Sequence, residues 1–331
     1  MFIIDTYSTA VLFCLITMLC WGSWANTQKL AEAQWRFELF YWDYVIGIVL
    51  LAVLFAFTLG SMGEEGRSFL ADVRQADSSN LWSAVIGGII FNAANILLGA
   101  AIAIAGMSVA FPVGIGLALV IGVVVNYINA PVGKGTILVF GVGFIVAAIL
   151  LNARAYRKLT VGAGSVSAKG LGLSIISGCM MGLFYKYVAA SMFPDFNLPE
   201  AGKLSPYTAV LFFALGILLS NFVFNTLLMA RPFAGVPVPF TDYFKGSIRS
   251  HLTGVAGGVI WCIGMSFSII ASGKAGPAIS YGLGQGATVV AVLWGIFIWK
   301  EFRGAPKGTE TLLYIMLVCY VVGLGLIIVS R

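Results

Sequence analysis

Ten separate stretches of this chain are long and apolar enough to cross a bilayer, and that leaves very few folds open. They run 7–26, 39–60, 81–104, 108–129, 135–152, 170–192, 206–229, 251–271, 274–299 and 310–330. A helix rising about 1.5 Å per residue covers the roughly 30 Å hydrocarbon layer in about 20 residues. Inside that layer every backbone N–H and C=O must be bonded within the protein, so a span is a helix or part of a closed barrel. Runs of this length are about twice what a barrel strand needs, and the chain reads as an all-α integral membrane protein. Charged residues make up only 10% of it, against about 25% in soluble domains.

The sequence also repeats. Ile104-Ala105-Gly106-Met107 leads into Pro112-Val113-Gly114-Ile115-Gly116, an apolar helix and Lys134-Gly135-Thr136. Ile270-Ala271-Ser272-Gly273 leads into Pro277, Gly282-Leu283-Gly284, an apolar helix and Lys307-Gly308-Thr309. Gly87-Gly88 is echoed by Gly257-Gly258. The third and fourth runs are joined almost directly, at 105–107, and so are the eighth and ninth, at 272–273. The expected organisation is a five-helix repeat over 1–152, a linker over 153–169 and a second five-helix repeat over 170–331. Five is odd, so the halves enter the membrane in opposite senses, as two inverted repeats. Inverted repeats with Gly/Pro-interrupted helices at matching places are the mark of secondary transporters.

Orientation follows from Lys and Arg, which favour cytoplasmic loops. Lys29, Arg36, Arg154, Arg157, Lys158, Lys169, Arg231, Lys245, Arg249, Lys300, Arg303 and Lys307 fall on one side. Arg67, Arg74, Lys134, Lys203, Lys274 and Arg331 fall on the other. Both termini are therefore expected outside a cell membrane. The net charge of +6 is spread over connections, which speaks to the bilayer and not to nucleic acid. The five cysteines lie in apolar runs without a C-x-x-C pair, so neither a disulfide framework nor a metal site is expected. No phosphate loop of the form GxxxxGK[ST] occurs, and no cofactor is called for. The segment Ser61–Asn80 reads as a solvated connection with a short interfacial helix around Phe69, Leu70 and Val73.

Ionisable groups within spans are costly and become functional candidates. Asp43, in Phe40-Tyr41-Trp42-Asp43-Tyr44, is the candidate for coupling a proton. Lys186, in Tyr185-Lys186-Tyr187, is a candidate for a substrate oxygen or for pairing with Asp43. Aligning the halves on Gly22 and Gly182 sets Trp24 opposite Phe184 and Asn26 opposite Lys186. Amides at Asn92, Asn95, Asn221 and Gln285, with Tyr281, offer both donors and acceptors to a neutral polar solute. Trp21, Trp24 and Trp261 offer flat faces for stacking. Pro112, Gly114, Gly116, Pro277, Gly282 and Gly284 allow close helix approach and local unwinding. His251, the only histidine, is expected at headgroup level. The clustered His, Asp or Ser/Lys groups of a membrane enzyme are missing from the sequence.

Several stretches resemble the drug/metabolite transporter superfamily, and within it the ureide permease and glucose/ribose porter branch. These are Phe40-Tyr41-Trp42-Asp43-Tyr44, Ile89-Ile90-Phe91-Asn92-Ala93-Ala94-Asn95 and the long motif from Ala105 through Pro112-Val113-Gly114-Ile115-Gly116 to Ala118. The resemblance implies a proton-linked carrier with a central cavity lined by both halves, working on ureides, nucleobases or sugars. Plant members carry a long central loop with a phosphate-loop-like motif, which is short and lacks it here. The expected function is import of a small neutral polar metabolite by alternating access, with protons as the coupling ion, sodium left open, and the state monomer or dimer. Export by the same superfamily is the alternative, and a membrane enzyme a remote one.

Overall fold

A computed structural model describes residues 1–32, 34–63, 65–105, 107–159, 167–233 and 235–331. Among them ten helices are long and apolar enough to span a membrane. They are built from α1 (Tyr7–Ser23), α2 (Phe37–Phe57), α4 (Ser78–Ala105), α5 (Met107–Asn129), α6 (Gly135–Leu159), α7 (Ala168–Ser191), α8 (Pro206–Ala230), α9 (Ile248–Ala275), α10 (Pro277–Gly284) with α11 (Ala287–Leu293), and α12 (Thr309–Val329). A short α3 (Phe69–Gln75) lies in the connection after α2. The junction at Gly106 and the linker residues 160–166 lie outside the described residues. Serines start several spans: Ser167, Ser205 and Ser247 each accept a hydrogen bond from the backbone N–H three residues on, which fills one of the donors a helix start leaves unpaired.

Apolar side chains cover the outside. Val139, Phe140 and Leu150 on α6, and Val318 and Val321 on α12, are all exposed. Exposed apolar surface on this scale belongs against lipid. Lipid is as apolar as leucine, so helices here are held by close packing and hydrogen bonds and not by the hydrophobic effect.

The helix pairings have a pattern. α4 packs on α7 as α9 packs on α1. α2 packs on α9 as α8 packs on α4, and α5 packs on α7 as α10 and α11 pack on α1. α6 pairs with α12 and α2 with α8. Replacing each span by the one five later leaves these main pairings unchanged, the arrangement an inverted repeat produces. Glycine sits at matching places. A Cβ on Gly258 would strike the carbonyl oxygen of Tyr44, and one on Gly47 that of Val255, where α2 crosses α9. A Cβ on Gly88 would strike the carbonyl of Phe213, and one on Gly216 that of Val85, where α4 crosses α8.

Helix ends depart from expectation in three places. The eighth span continues to Ala275, and the break comes at Gly276, with φ 83°. Only glycine adopts that conformation at no cost, and Pro277 then starts α10. The fifth span continues through Arg154, Arg157 and Lys158 to Leu159, because long basic side chains at a helix C-terminus reach the interface and suit the helix dipole. The first span is α-helical only to Ser23 and tightens into a 3-10 helix over Trp24–Leu30.

Gly258→Ala should therefore destabilise the protein by about 1–3 kcal/mol, as overpacking does, and so lower its melting temperature in detergent. Gly116→Ala, with nothing within 4 Å of its Cβ, should leave it unchanged or raise it. An unchanged Gly258→Ala protein would show that this crossing is not a rigid contact.

Candidate functional site

A cavity of about 550 Å³ runs into the bundle between the two halves. That size is within the usual range of small-molecule sites, roughly 300–1,000 Å³. Gln28, Lys29, Glu38, Phe233, Trp299 and Glu301 line it at one end. These residues lie on the face where the connections rich in Lys and Arg emerge, called the basic face below.

Aromatic rings form the deep wall. Trp261 stacks on Trp21 with centroids 6.0 Å apart and 14° between planes. Phe91 lies 4.4 Å from Trp261 and 5.2 Å from Phe184. Trp24 rests on Tyr44 at 4.6 Å. Trp21 donates to the Trp261 carbonyl at 3.3 Å, so the indole is fixed with its ring toward the cavity. Polar groups are few among these apolar faces. Asn95 lines the cavity and donates to the buried Tyr41 at 3.1 Å. Gln285 lines the wall where the ninth span breaks between α10 and α11. Thr288 and Tyr320 bond to each other there. Below this break the span runs into a π-turn over Trp294–Ile298. Discontinuities of this kind gather at functional sites.

The basic-face rim is tied by Glu301. Lys29 pairs with it at 2.9 Å and Tyr156 donates to it at 2.7 Å. Burial alone would raise the Glu301 carboxyl, but those two donors and the Lys29 charge outweigh it and hold it below the ordinary glutamate value. Lys29 also lies over Trp299 at 4.7 Å, and Trp299 donates to Asn26 at 2.6 Å.

The opposite face is closed. Asp72, fully buried on α3, pairs with Arg67 at 2.9 Å and accepts from the Ser205 N–H at 2.7 Å. Arg67 reaches the carbonyls of Glu200 and Lys203 at 2.9 and 2.8 Å, and Gln75 accepts from Gly202 at 2.7 Å. The segment Ser61–Asn80 is thus no free solvated loop. It latches the first half to the connection between α7 and α8.

Six of the expected solute contacts meet around the cavity: Trp21, Trp24, Asn26, Asn95, Trp261 and Gln285. Pro112 lines it too. Four expected contacts do not line it. Asn92 is fully buried, accepting from Tyr41 at 3.0 Å and donating to Ser220 at 2.9 Å. Tyr281 is fully buried and donates to the Met181 carbonyl at 3.0 Å. Asn221 is fully buried on α8, and both its amide atoms lack a partner among the described residues. Lys186 is half-buried near the end of α7, away from the basic face, and so cannot pair with Asp43 near the start of α2. Gly114 packs against Leu98 and Gly284 against Trp21 and Thr17, while Gly282 faces Val123 and Ile327. The rim residues Lys29, Glu301 and Tyr156 and the ring of Phe91 carry no sequence signal that separates them from a loop charge or core aromatic. Only the fold brings them to the cavity.

Asp43 does not line the cavity either. It is 2% exposed. Tyr243, from a 3-10 turn at Phe240–Lys245, donates to it at 2.6 Å, and His251 Nδ1 lies 2.9 and 3.0 Å from its two oxygens. His251, in the first turn of α9 and partly exposed, is the side-chain partner that the sequence did not assign to Asp43. Burial, then the bond to Asp43 and its charge, push the Tyr243 hydroxyl up from its ordinary value, so it stays a donor.

Ten spanning helices among the described residues around a solute-sized cavity are the architecture of a membrane transporter. The ureide permease family model matches residues 40–162 and 154–330, and the chain belongs to that family. Ureide permease 1 of Arabidopsis thaliana is 23% identical, over 100% of this chain and 99% of that protein. Ureide permease 5 of the same plant is 25% identical, over 99% and 96%. A solved crystal structure shares the fold with a TM-score of 0.62 at 16% identity, over 97% of this chain and 98% of that one. The chain is therefore an integral membrane permease, a transporter of small molecules and not an enzyme.

Gln285→Ala should raise the half-saturation constant for solute two- to tenfold, the effect of about one lost hydrogen bond, with the melting temperature unchanged. Tyr281→Phe should do the reverse, lowering the melting temperature and sparing solute affinity. Equal affinity loss in both would show that Tyr281 also meets the solute.

Proposed function

We propose that this protein imports a ureide or a related small neutral heterocycle by alternating access, driven by protons. The cavity carries the reading. Flat aromatic faces at Trp21, Trp24 and Trp261, with amides at Asn95 and Gln285 between them, suit a planar solute with both donor and acceptor edges. Sugars fit the same chemistry less well, since they lack a flat π-face. The relatives' names also point to ureides. The excess of Lys and Arg on the open face favours that face as cytoplasmic, which puts both termini outside and makes this form inward-open. The closed Arg67–Asp72 latch would then be the outer gate. The five-plus-five inverted repeat, supported by the paired helix contacts, gives such a carrier two halves able to exchange conformations. Within this reading Asp43 is the coupling carboxylate, since it is buried on a spanning helix and held by Tyr243 and by an imidazole that can itself carry a proton.

Uptake into proteoliposomes tests it, with labelled allantoin, uracil, ribose and glucose offered under an inward proton gradient. Allantoin or uracil should accumulate above equilibrium, and a protonophore should abolish that accumulation. Asp43→Asn should let the solute only equilibrate. Accumulation of sugars alone would overturn the solute class. Accumulation that persists in Asp43→Asn would overturn the coupling role, and accumulation only under an outward proton gradient, as proton antiport gives, would favour export.

A further inference from the structure

The cluster around Asp43 lies outside the solute cavity, and its composition says more than the carboxylate alone. Asp43 is almost wholly buried, while the imidazole of His251 is 28% exposed. One ring nitrogen faces both carboxylate oxygens. The other lies beside Gly246, where an added Cβ would come within 2.7 Å of it. Trp35 closes over the group, with its ring edge-on to His251 at 4.9 Å and tilted on Tyr243 at 6.1 Å. The cluster therefore has a buried end and a wet end. Its titratable neighbours are accounted for. Tyr243 faces Asp43 from the 3-10 turn and His251 from α9. Of the charged groups close in sequence, Arg36 pairs with Glu38 at 2.5 Å and Lys245 with Asp242 at 2.6 Å, and Arg249 lies two residues before His251 on α9.

We propose that Asp43 and His251 form one proton-binding site at the basic-face end of the α2–α9 crossing, closed by Tyr243, and that the coupled proton leaves the protein there. This rests on the proton-driven reading above and adds His251 and Tyr243 to it. With a proton bound, the pair is an imidazolium beside a carboxylate, neutral overall and joined by charge-assisted bonds. Without it, the pair carries one net negative charge at a buried oxygen, which is costly in this setting. The proton departs through the exposed edge of His251 to water at the basic face. The same two helices reach the solute site: Tyr44, next to Asp43, rests on Trp24, and Trp261 of α9 stacks on Trp21. A change of charge at one end of the crossing thus meets the solute wall without any direct contact between proton and solute. Tyr243 is a positioning residue, since it acts through the carboxylate.

The test separates coupling from binding in proteoliposomes. One pH unit sustains at most about tenfold accumulation for one proton per neutral solute, because each tenfold ratio corresponds to one unit. His251→Gln should keep solute counterflow, which needs no proton gradient, within about twofold of the unmodified protein, yet lose proton-driven accumulation entirely. Tyr243→Phe should keep accumulation but move its pH midpoint upward, by about half a unit to one unit, because a donor to the charged carboxylate is lost. Accumulation by His251→Gln equal to that of the unmodified protein would overturn the proposal. So would parallel loss of counterflow with an unchanged melting temperature, which marks a solute role. If His251→Gln fails to fold, an unmoved midpoint in Tyr243→Phe overturns it instead. If a protonophore leaves accumulation by the unmodified protein intact, the proton-driven reading itself fails, independently of either variant.

Discussion

Two helix crossings at which backbone meets backbone set the geometry of everything else. Where α2 crosses α9 and α4 crosses α8, Gly47, Gly258, Gly88 and Gly216 leave no space for a side chain. Apolar side chains gain nothing by leaving lipid for one another, so the bundle depends on such close approach and on buried hydrogen bonds. The Tyr41–Asn92–Asn95–Ser220 network ties α2, α4 and α8 together just beside the α4–α8 crossing. These rigid crossings bring helices of both halves against one another and leave the aromatic rings of Trp21, Phe91 and Trp261 facing inward at the cavity floor.

Closure and opening are distributed unevenly over this frame. At the face bearing the termini, the bonds cross between halves and go largely to backbone atoms: Arg67 to Glu200 and Lys203, Asp72 to Ser205, Gln75 to Gly202. Tyr207 adds a bond to the Phe2 carbonyl and Tyr7 one to that of Ile328. At the basic face the corresponding ties, from Glu301 to Lys29 and Tyr156, run around the rim of the cavity without sealing it. An ion pair half in water contributes little, whereas the fully buried Asp72 with its several donors is costly to break.

Much of the architecture could be read in the sequence, because a membrane span writes itself in about twenty consecutive residues. All ten spans were legible for that reason, while the short helix around Phe69 showed only in the apolar residues Phe69, Leu70 and Val73 of an otherwise polar connection. The site was legible only in part. Trp21, Trp24 and Asn95 sit in segments whose character suggested a cavity wall, and they reach one. Asn92 and Tyr281 have the same residue character, but each already has partners inside the protein. Residue type does not distinguish the two situations. The partner of Asp43 was out of reach for a different reason. His251 lies 208 positions away, at a helix start that reads as interface, and only the α2–α9 crossing brings the two together.

On the five-plus-five reading, the two halves differ in conformation, and the difference lies at the cavity. The first span turns from α to 3-10 at Trp24, while its counterpart α7 stays α-helical throughout. The ninth span breaks between Gly284 and Ala287, while its counterpart α5 runs unbroken past Pro112. Both irregular spans lie on the wall that opens to the basic face. On the alternating-access reading, the alternative state would place the irregular forms in α7 and α5 and straighten the first and ninth spans, opening the terminal face by the same geometry reversed. Proline weakens a helix by removing a donor and crowding the preceding turn. Pro112 therefore supplies α5 with a point at which to yield, as Gly276 and Pro277 already provide at the start of the ninth span. On that reading the sequence repeat has a physical purpose: each half would hold a form of the irregular helix pair that only one half uses at a time.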